Sequence, residues 1–279
     1  MTGVHQQQSS GRAQRGGDRV VRRTEFEWLA RAGLVARGVV YATIGILAVK
    51  LAAGSGGRAT NQTGALKTIA HQPLGEALLI ATAIGLAGYS LWRLTRAVVG
   101  HGSEEDDSAF DRVAAAANGI AYGALCFTAV KILAGSSTKG GSNSPKRSTG
   151  DVLSWTLGPE IVALVGLILI GVGLYQGYKG LSRGFLKSSH VEQMSHAVKR
   201  GFTALGVFGH LARMVVFVLA GYGLVKAAID HTKRSAIGLD GALSKLAHAS
   251  YGPLLLGIVA AGLIGFALYS IADARYRRV

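Results

Sequence analysis

Residues 38–50 read GVVYATIGILAVK, apolar up to a closing lysine. The pattern returns at 119–131 as GIAYGALCFTAVK, with Gly, Tyr and Lys in register. It returns again at 214–226 as MVVFVLAGYGLVK, with Phe in place of Tyr and the lysine kept. A second apolar stretch follows each copy, from Gly75 through Gly88 to Trp92, from Gly158 through Gly171 to Tyr175, and from Gly252 through Gly265 to Tyr269, with identical internal spacing. The chain is therefore one two-segment unit used three times.

Composition says where such a unit is stable. Of 279 residues 49% are hydrophobic and 16% charged, the mean hydropathy is +0.32, and 40 residues are glycine. The six apolar segments, near 32–53, 74–97, 113–134, 160–181, 205–229 and 253–274, each have the roughly 20 residues that cross a hydrocarbon core about 30 Å thick. They lack the polar face of helices in soluble bundles. The fold class expected is all-α: a polytopic membrane protein of six transmembrane helices in three tandem two-helix hairpins. Hairpins that enter from one side close naturally around a pseudo-threefold axis along the membrane normal. The expected division is a disordered basic tail at 1–23 and hairpins at 24–100, 108–186 and 189–279. The first segment is read as a retained span rather than a signal peptide, because the same segment recurs twice inside the chain.

The net charge of +15 invites a nucleic-acid reading, but the basic residues sit at segment ends and in loops, and no aromatic platform for bases accompanies them. That pattern belongs to a membrane surface. Lys and Arg number 18 on the side of the two termini and 11 on the other. Both termini are thus expected in the cytoplasm and the protein in a bacterial plasma membrane. Thr24-Glu25-Phe26-Glu27 has the form of a capping box and predicts a short surface helix anchored by Phe26, Trp28 and Leu29. On the outer side GALKTIAH (64–71) and GALSKLAH (241–248) predict short surface helices leading into the even-numbered spans, with a shorter counterpart at 150–158. Glu104, Glu105, Asp106 and Asp107 read as a solvated acidic patch on the inner side.

Chemistry is sparse. Cys126 is the one cysteine, so no intramolecular disulfide forms. The eight histidines have no metal-ligand spacing, and no phosphate-binding glycine loop or nucleophile motif occurs. The expectation is no enzyme activity, no metal and no cofactor. Three sets of repeated residues stand out. Gly38, Gly119, Gly75, Gly158, Gly252, Gly88, Gly171 and Gly265 are expected to let helices approach closely. Lys50, Lys131 and Lys226 end the odd spans, half a turn from the repeated aromatic, which directs them to lipid head groups or to anions at the outer face. Arg37, Asn118 and Arg213 lie one turn before Tyr41, Tyr122 and Phe217. They form a polar column expected to face the interior, with Asp273 on the sixth span as a partner for Arg213. Trp92, Tyr175 and Tyr269 read as interfacial belt residues.

The repeat resembles a known family. Arg31-Ala32-Gly33, Arg37-Gly38 and Tyr41 in the first helix, and Pro73-Leu74-Gly75 with Gly88-Tyr89-Ser90-Leu91-Trp92-Arg93 in the second, resemble the three-repeat transmembrane-hairpin family known as domain of unknown function 1206, found in actinobacterial membrane proteins. The resemblance covers about 29–277, with departures at Asn118, Met214 and Phe217. It implies architecture and no chemistry. The function expected is a non-enzymatic scaffold or accessory subunit of a membrane complex. The alternative is a small transporter or channel with its pathway along the pseudo-threefold axis. The partners expected are the bilayer with its anionic lipids and a membrane protein or further copies of the chain, and no nucleic acid.

Overall fold

Apolar segments of this length satisfy their backbone polar groups as helices. A computed structural model describes residues 24–99, 109–135, 144–231 and 238–277; the basic tail and the acidic run 104–107 lie outside the described residues. The spans are α1 (Thr24–Ala52), α3 (Gly75–Val99), α4 (Ala109–Leu133), α6 (Gly158–Leu181), α7 (His196–Ile229) and α9 (Gly252–Tyr276). All six are long and apolar enough to cross a membrane. Short helices α2 (Gln62–Ala70), α5 (Ser144–Leu153) and α8 (Leu239–Ala247) precede the even-numbered spans. Among the described residues no strand forms, and two 3-10 turns, Gly184–Ser188 and Val191–Gln193, join the second hairpin to the third. The surface helix expected at Thr24 is not separate: α1 runs unbroken into the span, since nothing between Glu27 and Gly38 interrupts its backbone hydrogen bonds.

The helix ends follow from local chemistry. Asn61 Oδ1 accepts from the Gly64 amide at 2.9 Å and caps α2. The repeated histidines act at the other end of the short helices, where the Nδ1 of His71 bonds the Lys67 carbonyl (2.6 Å) and that of His248 the Ser244 carbonyl (2.8 Å). The chain then reverses through Leu74 and Tyr251, both in the left-handed region (φ 61° and 59°). Gly75 and Gly252 come next. A Cβ on Gly75 would strike the Ala70 and Ile69 carbonyls, and one on Gly252 the Ala247 carbonyl.

The spans form a broken ring. Three seams join consecutive hairpins: α3 packs on α4, α6 on α7, and α9 back on α1. Within the first and third hairpins the partners also pack, α1 on α3 and α7 on α9. The second hairpin differs, because α4 and α6 are not packed against each other among the described residues. Glycine explains the difference. In the first hairpin a Cβ on Gly85 would lie 2.7 Å from Ala36 Cβ and 2.8 Å from the Ala32 carbonyl, and a Cβ on Gly33 would collide with Tyr89. In the third, Gly209 and Gly262 hold the equivalent positions, against Phe266 and Ala212. The second hairpin has Ala114 and Ile168 there. A branched side chain at the crossing point holds the helices apart, and Ile168 is 54% exposed.

Candidate functional site at the three seams

The seams carry the polar residues. At the α9–α1 seam Arg37 Nε donates to Ser270 Oγ (3.1 Å) and Nη1 to the Tyr89 hydroxyl (3.2 Å). At the α6–α7 seam, with the Gln176 amide turned so that its oxygen faces the guanidinium, Arg213 Nη1 and Nη2 donate to Gln176 Oε1 at 3.0 and 2.9 Å. Ser270 and Gln176 occupy one repeat column, and its third member is Arg93. The α3–α4 seam thus carries the same pair of columns with the charge exchanged, arginine on the even span and Asn118 on the odd one. Asn118 is half-buried and its amide donates to the Ala114 carbonyl of its own helix at 2.7 Å. Arg93 donates from Nε and Nη2 to the Tyr89 hydroxyl, both at 3.0 Å. Each seam therefore sets one arginine opposite one neutral polar side chain.

Aromatic rings pack this layer. Tyr41 meets Phe266 edge-on at 5.0 Å and Tyr89 meets Tyr122 edge-on at 4.6 Å. The Arg213 guanidinium lies over Phe266, Phe217 and Tyr41 at 4.5, 5.2 and 5.3 Å. Such stacking holds a cation where little water reaches.

A second layer lies toward the ends of the spans nearest the termini. Asp273 is fully buried and accepts from Ser189 Oγ at 2.9 Å and from Arg277 Nη1 at 3.1 Å. The pairing with Arg213 expected from the sequence is therefore replaced. Arg277 sits one turn along the same helix and takes the carboxylate, while Arg213 is held by Gln176. The link also staples the loop between the second and third hairpins to the last span, where His190 N donates to the Tyr276 carbonyl at 2.7 Å. Arg277 lies just past that span. Burial is the largest single influence and opposes its charge, but the Asp273 carboxylate acting together with Tyr269 and Tyr89 raises its pKa above the usual arginine value. Arg277 also stacks over Trp92 at 5.5 Å, and Arg93 over the same ring at 4.9 Å. Lys179 is within electrostatic reach of Arg277 and Arg93.

The structure places the other singled-out residues as follows. Lys50, Lys131 and Lys226 are exposed near the ends of the odd spans far from the termini, Lys131 above the Phe127 ring at 5.0 Å. Gly38 and Gly119 are seam glycines: added Cβ atoms would lie 2.7 Å from Ile271 and from Leu94. A Cβ added to Gly88 would lie 2.9 Å from the Leu29 carbonyl, whereas one on Gly265 would keep ordinary distances to Leu205. Gly75, Gly158 and Gly252 do not serve span packing. They admit the carbonyls that end the preceding short helices, those of Val152 in the case of Gly158. Gly171 packs on nothing, since its hairpin is open. Trp92 and Tyr269 are not belt residues: each is 2% exposed, against 39% for Tyr175. Their column faces inward wherever the hairpin is closed.

The polar column expected from the sequence, Arg37, Asn118 and Arg213, lies on the odd spans and does not include Arg93, Gln176, Lys179 or Arg277. Writing the even spans under one another aligns Arg93, Gln176 and Ser270, and that polar column was the available signal.

Comparison with known proteins gives the same division. Three segments, 32–100, 113–183 and 208–277, match a family model described as Domain of Unknown Function (DUF1206). The chain is 31% identical over 252 residues to the uncharacterized protein YxxB of Bacillus subtilis (strain 168), covering 89% of this chain and 90% of that protein. No solved structure matches.

Proposed function

The chain belongs to the DUF1206 family, and on that premise, which carries an architecture and no chemistry, we propose that this integral membrane protein is a non-enzymatic scaffold or accessory subunit of a membrane complex. The observation that carries the reading is the interlocking of the three repeats around Arg213. Arg213 from α7 is held by Gln176 of α6 and stacks over rings from α1, α7 and α9. Side chains from all three repeats thus meet at one guanidinium. A bundle built this way holds neighbours in place more readily than it passes solutes. The bias of Lys and Arg toward the side of the termini supports a plasma-membrane topology with both termini in the cytoplasm. The exposed Lys50, Lys131 and Lys226 support contact with anionic head groups on the outer side.

Affinity capture after crosslinking in native membranes is expected to recover the same partner repeatedly, and liposomes carrying the purified protein are expected to show no flux over a broad solute panel. A lone monomer at native abundance would overturn the scaffold reading. Solute flux would favour the transporter alternative, whose supporting observation is the opening beside Gly171. A reporter active only outside the cell, fused after Val279, is expected to be silent, and activity there would reverse the topology.

A further inference from the structure

Three features of the termini-side layer have no use in a purely structural core. The first is its charge. Arg93 and Arg277 both stack over the Trp92 ring, at 4.9 and 5.5 Å, and Lys179 lies within electrostatic reach of both. Arg213 is held by Gln176, about one turn along α6 from Lys179. Among the described residues the carboxylate of this layer, Asp273, is already engaged by Arg277 and Ser189. Arg277 is buried and Arg93, Lys179 and Arg213 are half-buried, and an excess of cations drawn out of water is costly unless an anion answers it. The second is the kind of atom left over. Among the described residues Trp92 Nε1, Arg213 Nε and Arg277 Nε are buried without a hydrogen-bond partner, and all three are donors. Trp92 and Arg277 are themselves 2% and 8% exposed. Buried donors are normally satisfied, and a set consisting of donors alone is answered by a ligand that only accepts.

The third is access. The second hairpin is open at this level. Gly171 has nothing within van der Waals reach of its Cβ position, and Val172 and Tyr175 are exposed where Tyr89, Trp92, Phe266 and Tyr269 are buried in the closed hairpins. Lys179 lies one turn beyond Tyr175 and two residues before α6 ends, and Arg93 lies six residues before the end of α3, about 9 Å along its axis. That is the depth at which lipid head groups meet the ends of spans.

We propose that Arg93, Lys179, Arg213, Arg277 and the Trp92 indole form a binding site for a phosphate-class oxyanion, reached sideways through the gap between α4 and α6. The geometry suits the head group of an anionic phospholipid whose acyl chains stay along the exposed face of α6. Arginine forks and an indole N–H supply the directed donors, and Lys179 at the mouth supplies a point charge. The assignment is independent of the scaffold reading, since a scaffold, a transporter or neither can hold such a ligand.

The full-length protein in nanodiscs of phosphatidylcholine doped with phosphatidylglycerol, followed by native mass spectrometry, tests it. One phosphatidylglycerol retained per protein and a rise in melting temperature over pure phosphatidylcholine are expected. The double variant Arg93→Gln/Lys179→Gln is expected to weaken retention about tenfold or more, the worth of one charge-assisted hydrogen bond. Lys199→Gln/Arg200→Gln, which removes two exposed cations near the start of α7, is expected to leave retention unchanged. Inorganic phosphate added to pure phosphatidylcholine nanodiscs separates the sources. Saturable stabilisation by phosphate, lost in the Arg93/Lys179 variant, assigns the site to a soluble oxyanion, and its absence alongside lipid retention assigns it to the head group. Should the double variant not fold, the wild-type lipid stoichiometry and melting shift decide alone. No stoichiometric retention and no shift with either ligand, or retention lost in the Lys199/Arg200 variant and kept in the Arg93/Lys179 variant, would overturn the proposal.

Discussion

At the level of single residues the seams work by exchange. Gly38 on α1 faces Ile271 on α9, and Gly119 on α4 faces Leu94 on α3, small against large in both. Met214 stands in the same column on α7, and there the small residue moves to the other helix: a Cβ on Gly177 would strike Met214 Sδ and one on Gly173 would lie 3.2 Å from the Met214 carbonyl. The departure at Met214 is thus compensated across the seam. Gly177→Leu is expected to destabilise by about 1–3 kcal/mol through overpacking. Met214→Ala in the same molecule is expected to return most of that loss, because it recreates the arrangement of the other two seams. Thermal unfolding of the purified single and double variants measures the coupling, and simple additivity would show that the two side chains do not share a site.

At the level of elements the contrast lies between closed and open hairpins. The sequences of the three are alike in length and hydropathy and differ at the crossing point, Gly33 with Gly85 and Gly209 with Gly262 against Ala114 with Ile168. Gly85→Ile is expected to spread α1 from α3 and lower stability by about 1–3 kcal/mol, since the new side chain meets Ala36 and the Ala32 carbonyl. Ile168→Gly removes a side chain that packs little. Its expected cost is nearer the roughly 1 kcal/mol of a glycine within a helix. Parallel melting curves decide, and an equal or larger loss for Ile168→Gly would show that α4 and α6 are packed together after all.

At the level of the whole molecule the ring is closed by its first and last spans. A chain divided within residues 136–143 yields halves bearing α1, α3 and α4 on one side and α6, α7 and α9 on the other. With the second hairpin open, the α9–α1 seam, where Arg37 reaches Ser270 and Gly38 meets Ile271, is the extended packing that joins them, with lesser support from α8 against α1. Co-expressed halves are expected to purify together, and Gly38→Leu is expected to reduce their recovery severalfold, since a single overpacked contact costs about 1–3 kcal/mol. Recovery unchanged by Gly38→Leu would place the joint elsewhere.

The sequence by itself determined the number of spans, their pairing into three hairpins and the repeat register, because each depends on apolar length and spacing along one segment. It also marked Arg37, Asn118 and Arg213 as one column. Partner choice was not legible. Asp273 goes to Arg277 and Ser189 rather than Arg213, a competition between near neighbours that only folded distances resolve. The repeated Trp92, Tyr175 and Tyr269 look alike in the chain, yet two are buried and one is exposed. The burial of a residue depends on whether the facing helix arrives, and in the second hairpin Ala114 and Ile168 replace the glycines that would admit it. Tertiary structure decided that break in the symmetry, because packing is a property of two surfaces and a sequence states them one at a time.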